Sequence, residues 1–181
     1  MIQGVLFDMD GLMFDTEPIS RDGWIEAGRE MGVPLDEGVV LQLRGTSATH
    51  GDDVLRKAFG DSFDCAQARE IRTRYLTETL DRIGIPLKDG LLELLSYLKE
   101  QGIPAALATS TNRERAMDYL RRAGVDKYFS GSVCGDEADR SKPYPDIFLR
   151  AAREIGRDPR DCMVLEDSPN GLRAGLAAGC G

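Results

Sequence analysis

Along the chain, short apolar runs alternate with stretches whose apolar positions recur at helical spacing. The runs at residues 2–7, 103–108, 131–135 and 162–165 each stop abruptly at polar residues. Short unbroken runs of this kind suit strands buried on both faces, as in a parallel sheet. Between the later runs, Leu91, Leu94, Leu95 and Leu98 repeat at i, i+3, i+4 and i+7. So do Ala116, Tyr119, Leu120 and Ala123, then Phe148, Ala151, Ala152 and Ile155, and finally Leu172, Gly175, Leu176 and Gly179. This spacing predicts helices with one apolar face. Strand alternating with helix predicts an α/β fold, a doubly wound parallel sheet of Rossmann-like type.

One stretch breaks the rhythm. From Thr16 to about Pro86 there is helical spacing and no convincing strand: Trp24, Ala27, Gly28 and Met31 form one face, and Leu76, Leu80 and Ile83 another. The reading is an all-helical domain at 16–86 inserted into a core made of 1–15 and 87–181, with hinges near Asp15 and near 85–89.

Charge and composition narrow the partners. Lys plus Arg number 23 and Asp plus Glu 31, a net charge of −8. Such a surface repels polyphosphate backbones and argues against nucleic acid as a main partner. No apolar run approaches the ~20 residues that span a bilayer, so no membrane role is expected. The N-terminus lacks the basic region and apolar core of a signal peptide. The cysteines, Cys65, Cys134, Cys162 and Cys180, form no Cys-x-x-Cys, and His50 is the sole histidine. A Cys/His zinc site is therefore not expected, and the thiols read as reduced and mostly buried in a cytoplasmic protein.

The chemistry gathers where the apolar runs end. In an open α/β sheet, ligands bind beyond the carboxyl ends of the strands. Asp8 and Asp10 follow the first run, Thr109 and Ser110 the second, Glu166 and Asp167 the last. Acids at strand ends are often plain solvated turn residues. Four of them converging from separate strands would repel one another and call for a cation, and an oxygen-only donor set selects a hard one, Mg²⁺ first. The segment Thr109-Ser110-Thr111-Asn112 offers hydroxyls and N–H groups at a helix start, suited both to capping the helix and to holding an anion. Lys142 lies in Ser141-Lys142-Pro143-Tyr144-Pro145-Asp146, a loop stiffened by two prolines, where it could fix a phosphate oxygen.

Together these residues carry a resemblance. Phe7-Asp8-Met9-Asp10-Gly11, Ala108-Thr109-Ser110, Lys142-Pro143-Tyr144-Pro145-Asp146 and Leu165-Glu166-Asp167-Ser168 occur in the order and approximate spacing of the four motifs of the haloacid dehalogenase superfamily. The placement of the helical insertion resembles the β-phosphoglucomutase-like and sugar-phosphatase branch, which carries a four-helix cap. The resemblance implies a phosphatase acting on a small phosphorylated metabolite: a sugar, polyol or nucleoside phosphate. Asp8 would be the nucleophile that forms an aspartyl phosphate, and Asp10 the general acid and then base. Mg²⁺ would be held by Asp8, the Asp10 carbonyl, Asp167 and Glu166; phosphate would be held by Thr109, Ser110 and Lys142. It further implies that Ser20, Arg44, Thr46 and Ser47 in the cap choose the substrate. Relatives continue past the last helix into another parallel strand. Here Gly179-Cys180-Gly181 follows, so that edge strand is expected to be missing and the sheet edge open.

Two other readings compete. A phosphosugar mutase of this branch would have a cap histidine where Ser20 stands and an arginine where Ala48 stands. A phospho-accepting signalling receiver shares the acids, Thr/Ser and Lys, but lacks the Asp8-x-Asp10 spacing and a helical insertion of this size.

Overall fold

The computed structural model describes residues 2–43 and 48–181. The described residues contain four strands: β1 (Gly4–Phe7), β2 (Ala105–Ala108), β3 (Phe129–Val133) and β4 (Cys162–Leu165). Eight α-helices accompany them: α1 (Glu17–Met31), α2 (Glu37–Leu43), α3 (Ala48–Phe59), α4 (Cys65–Ile83), α5 (Leu91–Glu100), α6 (Arg113–Arg122), α7 (Asp146–Glu154) and α8 (Pro169–Ala178). The strands make one parallel sheet in the order β3-β2-β1-β4. The α/β fold with a parallel sheet is the one the alternating pattern predicts.

The chain divides into two compact units, Met1–Asp15 with Ile85–Gly181, and Thr16–Gly84. The first unit contains the sheet. Its main core packs Leu6, Ala106, Ala108 and Val133 from the strands against Phe148, Ala151 and Ala152 of α7 and Ala174 and Ala178 of α8. Where the chain leaves and rejoins this unit, it is laced to itself. Asp15 N donates to Pro86 O (2.9 Å), Lys88 N to Met13 O (2.9 Å), and Lys88 Nζ lies 2.5 Å from Asp15 Oδ1.

The second unit, in its described residues, consists of α1–α4. Leu35, Val40, Leu43, Leu55 and Cys65 form one cluster, and Ala27, Ala68 and Ile71 another; Trp24 packs partly buried against both.

Three expectations need correction. β3 starts at Phe129 and ends at Val133, two residues earlier than the apolar pattern places it. Its register with β2 shifts between Ala105 and Ala106, so Ser130 falls outside the pairing. On α8 the buried positions are Gly171, Ala174, Gly175 and Ala178, while Leu172 and Leu176 face solvent. Small residues face the sheet because the helix lies too close for larger ones: a Cβ on Gly175 would sit 3.2 Å from Val164. The outer edge of β4 is not wholly open, since Gly181 N donates to Cys162 O (3.0 Å) and Val164 N to Gly181 O (2.8 Å).

Candidate active site

The sheet order reverses at its middle. From β1 the chain goes first to β2 on one side and later to β4 on the other. A crevice beyond such a switch point is where doubly wound sheets bind their ligands. Asp8 leaves β1 and Glu166-Asp167 leave β4, and Asp8 N donates to Leu165 O at 3.0 Å, holding the two ends together.

Carboxylate oxygens of Asp8, Glu166 and Asp167 all lie within 4.8 Å of one another. Among them reaches Lys142, from the loop before α7. Its Nζ donates to Asp8 Oδ1 (2.6 Å), Glu166 Oε1 (2.6 Å) and Ala108 O (3.0 Å), and stands 5.0 Å from the centre of the Phe148 ring. An ammonium has three protons to donate, and all three are taken. The side chains of Lys142 and Glu166 are only 6% and 2% exposed. On sequence grounds Lys142 is a point charge waiting for phosphate; in the structure it is also the counter-ion of two buried acids.

Each acid is placed by local backbone chemistry. Glu166 Oε2 accepts from Ser168 N at 2.7 Å, and Ser168 caps α8 by accepting from Gly171 N at 3.0 Å. A Cβ on Gly171 would fall 1.7 Å from Glu166 Oε1, so the first turn of α8 has room for that carboxylate only because glycine stands there. Gly11, at φ +83°, turns the chain after Asp10, and a Cβ there would meet Asp167 Oδ2 at 2.3 Å.

The charge balance is unequal. Burial pushes the Asp8 carboxyl up to about 7; Lys142 opposes this, while Glu166 and Asp10 add to it. Burial also pulls Lys142 down, but Asp8 and Glu166 outweigh it and leave the ammonium above its ordinary range. Three carboxylates against one ammonium is a site short of positive charge. The donors are all oxygens, and Asp167 is open to solvent. That set fits a hard divalent cation.

Thr109 follows β2 and is buried, with its N donating to Val133 O at 3.1 Å. Neither Thr109 nor Ser110 is needed to cap α6, because Asn112 does so by accepting from Arg115 N (3.0 Å). Ser110 is exposed.

Asp10 stands apart from the three-carboxylate group: its Oδ2 accepts from Thr111 Oγ1 at 2.7 Å. Asp8, Glu166 and Asp167 are the acids whose carboxylate oxygens meet within 4.8 Å of one another. Thr111 is the residue that sequence reasoning passes over. The available signal is its place two residues after Thr109 in the same polar segment. Of the residues expected in the helical insertion, Ser20 is buried and accepts from Arg72 Nε (3.1 Å) and Nη2 (2.6 Å) of α4. Arg44, Thr46 and Ser47 lie outside the described residues.

Comparison with known proteins gives the family. A family model of haloacid dehalogenase-like hydrolases matches residues 2–179. The chain is 32% identical to the phosphorylated carbohydrates phosphatase of Thermotoga maritima, covering 98% of this chain and 82% of that protein. It is 33% identical to hexitol phosphatase A of Escherichia coli, covering 98% of this chain and 80% of that one. Among solved structures, a haloacid dehalogenase-type hydrolase of family IA, variant 3, from Entamoeba histolytica superposes with a TM-score of 0.83 at 29% identity, covering 99% of this chain and 82% of that one. The chain belongs to the haloacid dehalogenase-like hydrolases. Within that family it is a phosphoric monoester hydrolase of the sugar-phosphatase and β-phosphoglucomutase-like branch.

Proposed function

We propose that this protein is a Mg²⁺-dependent phosphatase of small phosphorylated carbohydrates, sugar or polyol monophosphates first, and that it works through a phosphoryl group carried on Asp8. The observation that supports this most is the meeting of Asp8 with Glu166, Asp167 and Lys142 at the carboxyl edge of the sheet. The phosphatase names of the two relatives support the substrate class.

Asp8, Glu166 and Asp167 would hold the cation with their side chains, and Asp10 with its backbone carbonyl. Bound there, Mg²⁺ offsets the repulsion between an anionic nucleophile and an anionic ester. Asp8 Oδ1 is engaged by Lys142, and the Asp8 carboxylate offers one oxygen to the cation and one to phosphorus. The O–P bond forms as the ester P–O bond breaks, and Asp10 gives its proton to the departing alkoxide. Asp10 then takes a proton from water, whose oxygen attacks the same phosphorus and returns Asp8 as carboxylate. Thr109, Ser110 and Lys142 hold the non-bridging oxygens while charge builds on them. Lys142 must share its protons to do so, exchanging part of its hold on Asp8 and Glu166 for the phosphate.

Hydrolysis is preferred to mutase-type transfer because Ser20 and Ala48 stand where that reaction's cap histidine and arginine are expected. The test is phosphate release from a panel of hexose, hexitol and nucleoside monophosphates, with Mg²⁺ and with EDTA. Turnover should be greatest on a carbohydrate phosphate and vanish in EDTA. Release from no member of the panel, or release indifferent to EDTA, contradicts the proposal.

A further inference from the structure

We infer that Thr111 is a positioning residue for the proton-transfer step: its hydroxyl holds the Asp10 carboxyl in one orientation through both halves of the reaction. The inference rests on the reading of Asp10 as acid and base given above.

The contact is the 2.7 Å bond from Thr111 Oγ1 to Asp10 Oδ2, between residues 101 apart in the chain. The rest of Thr111 is fixed as well. Its N donates to Thr109 Oγ1 (3.1 Å), and its carbonyl accepts from Gly135 N (2.9 Å), just past β3. The segment between β2 and α6 is thus tied on one side to the end of β3 and on the other to the residue that must move a proton. One short stretch joins the buried Thr109 hydroxyl to Asp10.

A hydroxyl suits this task for a chemical reason. A group that gives a proton in the first half and takes one in the second is a carboxyl in one state and a carboxylate in the other. A threonine hydroxyl donates to Oδ2 in both states, because the proton passed to the alkoxide must sit on the other oxygen, Oδ1. It holds both forms in the same place. An ammonium there would add a positive charge that favours the carboxylate and so works against the form that gives the proton. The β-branched side chain adds stiffness, since its χ1 is restricted. Serine keeps the hydroxyl on a looser stem, and valine keeps the shape without the hydroxyl.

The experiment compares Thr111→Val, Thr111→Ser and Asp10→Asn in Mg²⁺ on two substrates, the best alkyl phosphate of the panel and p-nitrophenyl phosphate. An alkoxide needs a proton to leave, whereas nitrophenolate does not. On the alkyl ester, Thr111→Val should lower kcat on the order of 10–100-fold, within the range general acid–base catalysis supplies, with KM changed less than about threefold. On the nitrophenyl ester it should release a fast burst of about one nitrophenolate per site, then turn over slowly, because only the second half needs the base. Thr111→Ser should recover most of the alkyl-ester rate.

If Thr111→Val loses activity equally in the burst and on both esters, or if Thr111→Ser is no better than Thr111→Val, the role is structural and the inference fails. Unchanged turnover in Thr111→Val also overturns it, provided Asp10→Asn shows the leaving-group dependence. If Asp10→Asn shows none, the functional reading beneath it has failed instead. Thr111→Ala serves in place of Thr111→Val should the valine variant not fold.

Discussion

The Lys142 ammonium meets the Asp8 carboxylate at 2.6 Å, 134 residues away in the chain, with both side chains almost withdrawn from water. The same nitrogen holds Glu166 at the same distance. Lysine thus keeps two buried acids together at a rim where they would otherwise repel. Replacing it with the apolar, similarly long methionine removes the only positive charge that the described structure places among them.

Breaking a buried pair from one side typically costs about 3–5 kcal/mol. Lys142→Met should fall near the lower end, about 3 kcal/mol, because Asp8 can take up a proton to relieve the strain. Urea unfolding in EDTA measures it, and excess Mg²⁺ should return part of the loss. A variant as stable as the parent in EDTA would show that the lysine does not neutralise this cluster.

Gly171→Ala sets two effects against each other. Alanine is the better helix former by ~1 kcal/mol, and α8 should gain from it. The new Cβ, however, would occupy the place of Glu166 Oε1, 1.7 Å away. The glutamate must turn aside. Disturbed support of a metal ligand commonly costs about 10–100-fold in affinity. Calorimetric titration with Mg²⁺ should show a loss of that size in a variant whose circular dichroism is unchanged. Parental affinity would mean that Glu166 does not hold the cation.

The residues of the site differ in how far the sequence reveals them. Asp8, Glu166 and Asp167 were legible because each follows an unbroken apolar run, and parallel strands bring their carboxyl ends to one rim. The bond from Thr111 to Asp10 was not, since it depends on a side-chain direction that spacing does not encode. Lys142 was found, but its three bonds to Ala108, Asp8 and Glu166 come from the close approach of three strand ends. On α8 the pattern of large residues selected Leu172 and Leu176, when the helix packs through Gly171, Ala174, Gly175 and Ala178. Size-based periodicity misleads where a helix lies close to a sheet. Ser20 has a similar lesson: its hydroxyl is held by Arg72, 52 residues on.

All four cysteines are free and buried. Burial pushes the thiols of Cys134 and Cys180 from 9.0 up to about 11. The linkage has a definite sign. Below pH 9 both thiols are protonated whether the chain is folded or not. Between 9 and 11 the unfolded chain loses protons that the folded one keeps, so stability falls as pH rises. The urea midpoint should drop across that window, and less so in Cys134→Ala. At pH 8, a disulfide reagent should label the native protein slowly and the unfolded protein quickly. Rapid labelling of native thiols would contradict their burial.

The most direct test of phosphoryl transfer through Asp8 is acid quenching during turnover, followed by peptide mass spectrometry of the segment containing residues 4–11. Phosphate should be found on Asp8, be removable by hydroxylamine, and be absent from Asp8→Asn, which should not turn over. An Asp8→Asn enzyme that hydrolyses the substrate at the parental rate, or phosphate trapped on a different residue, would contradict it.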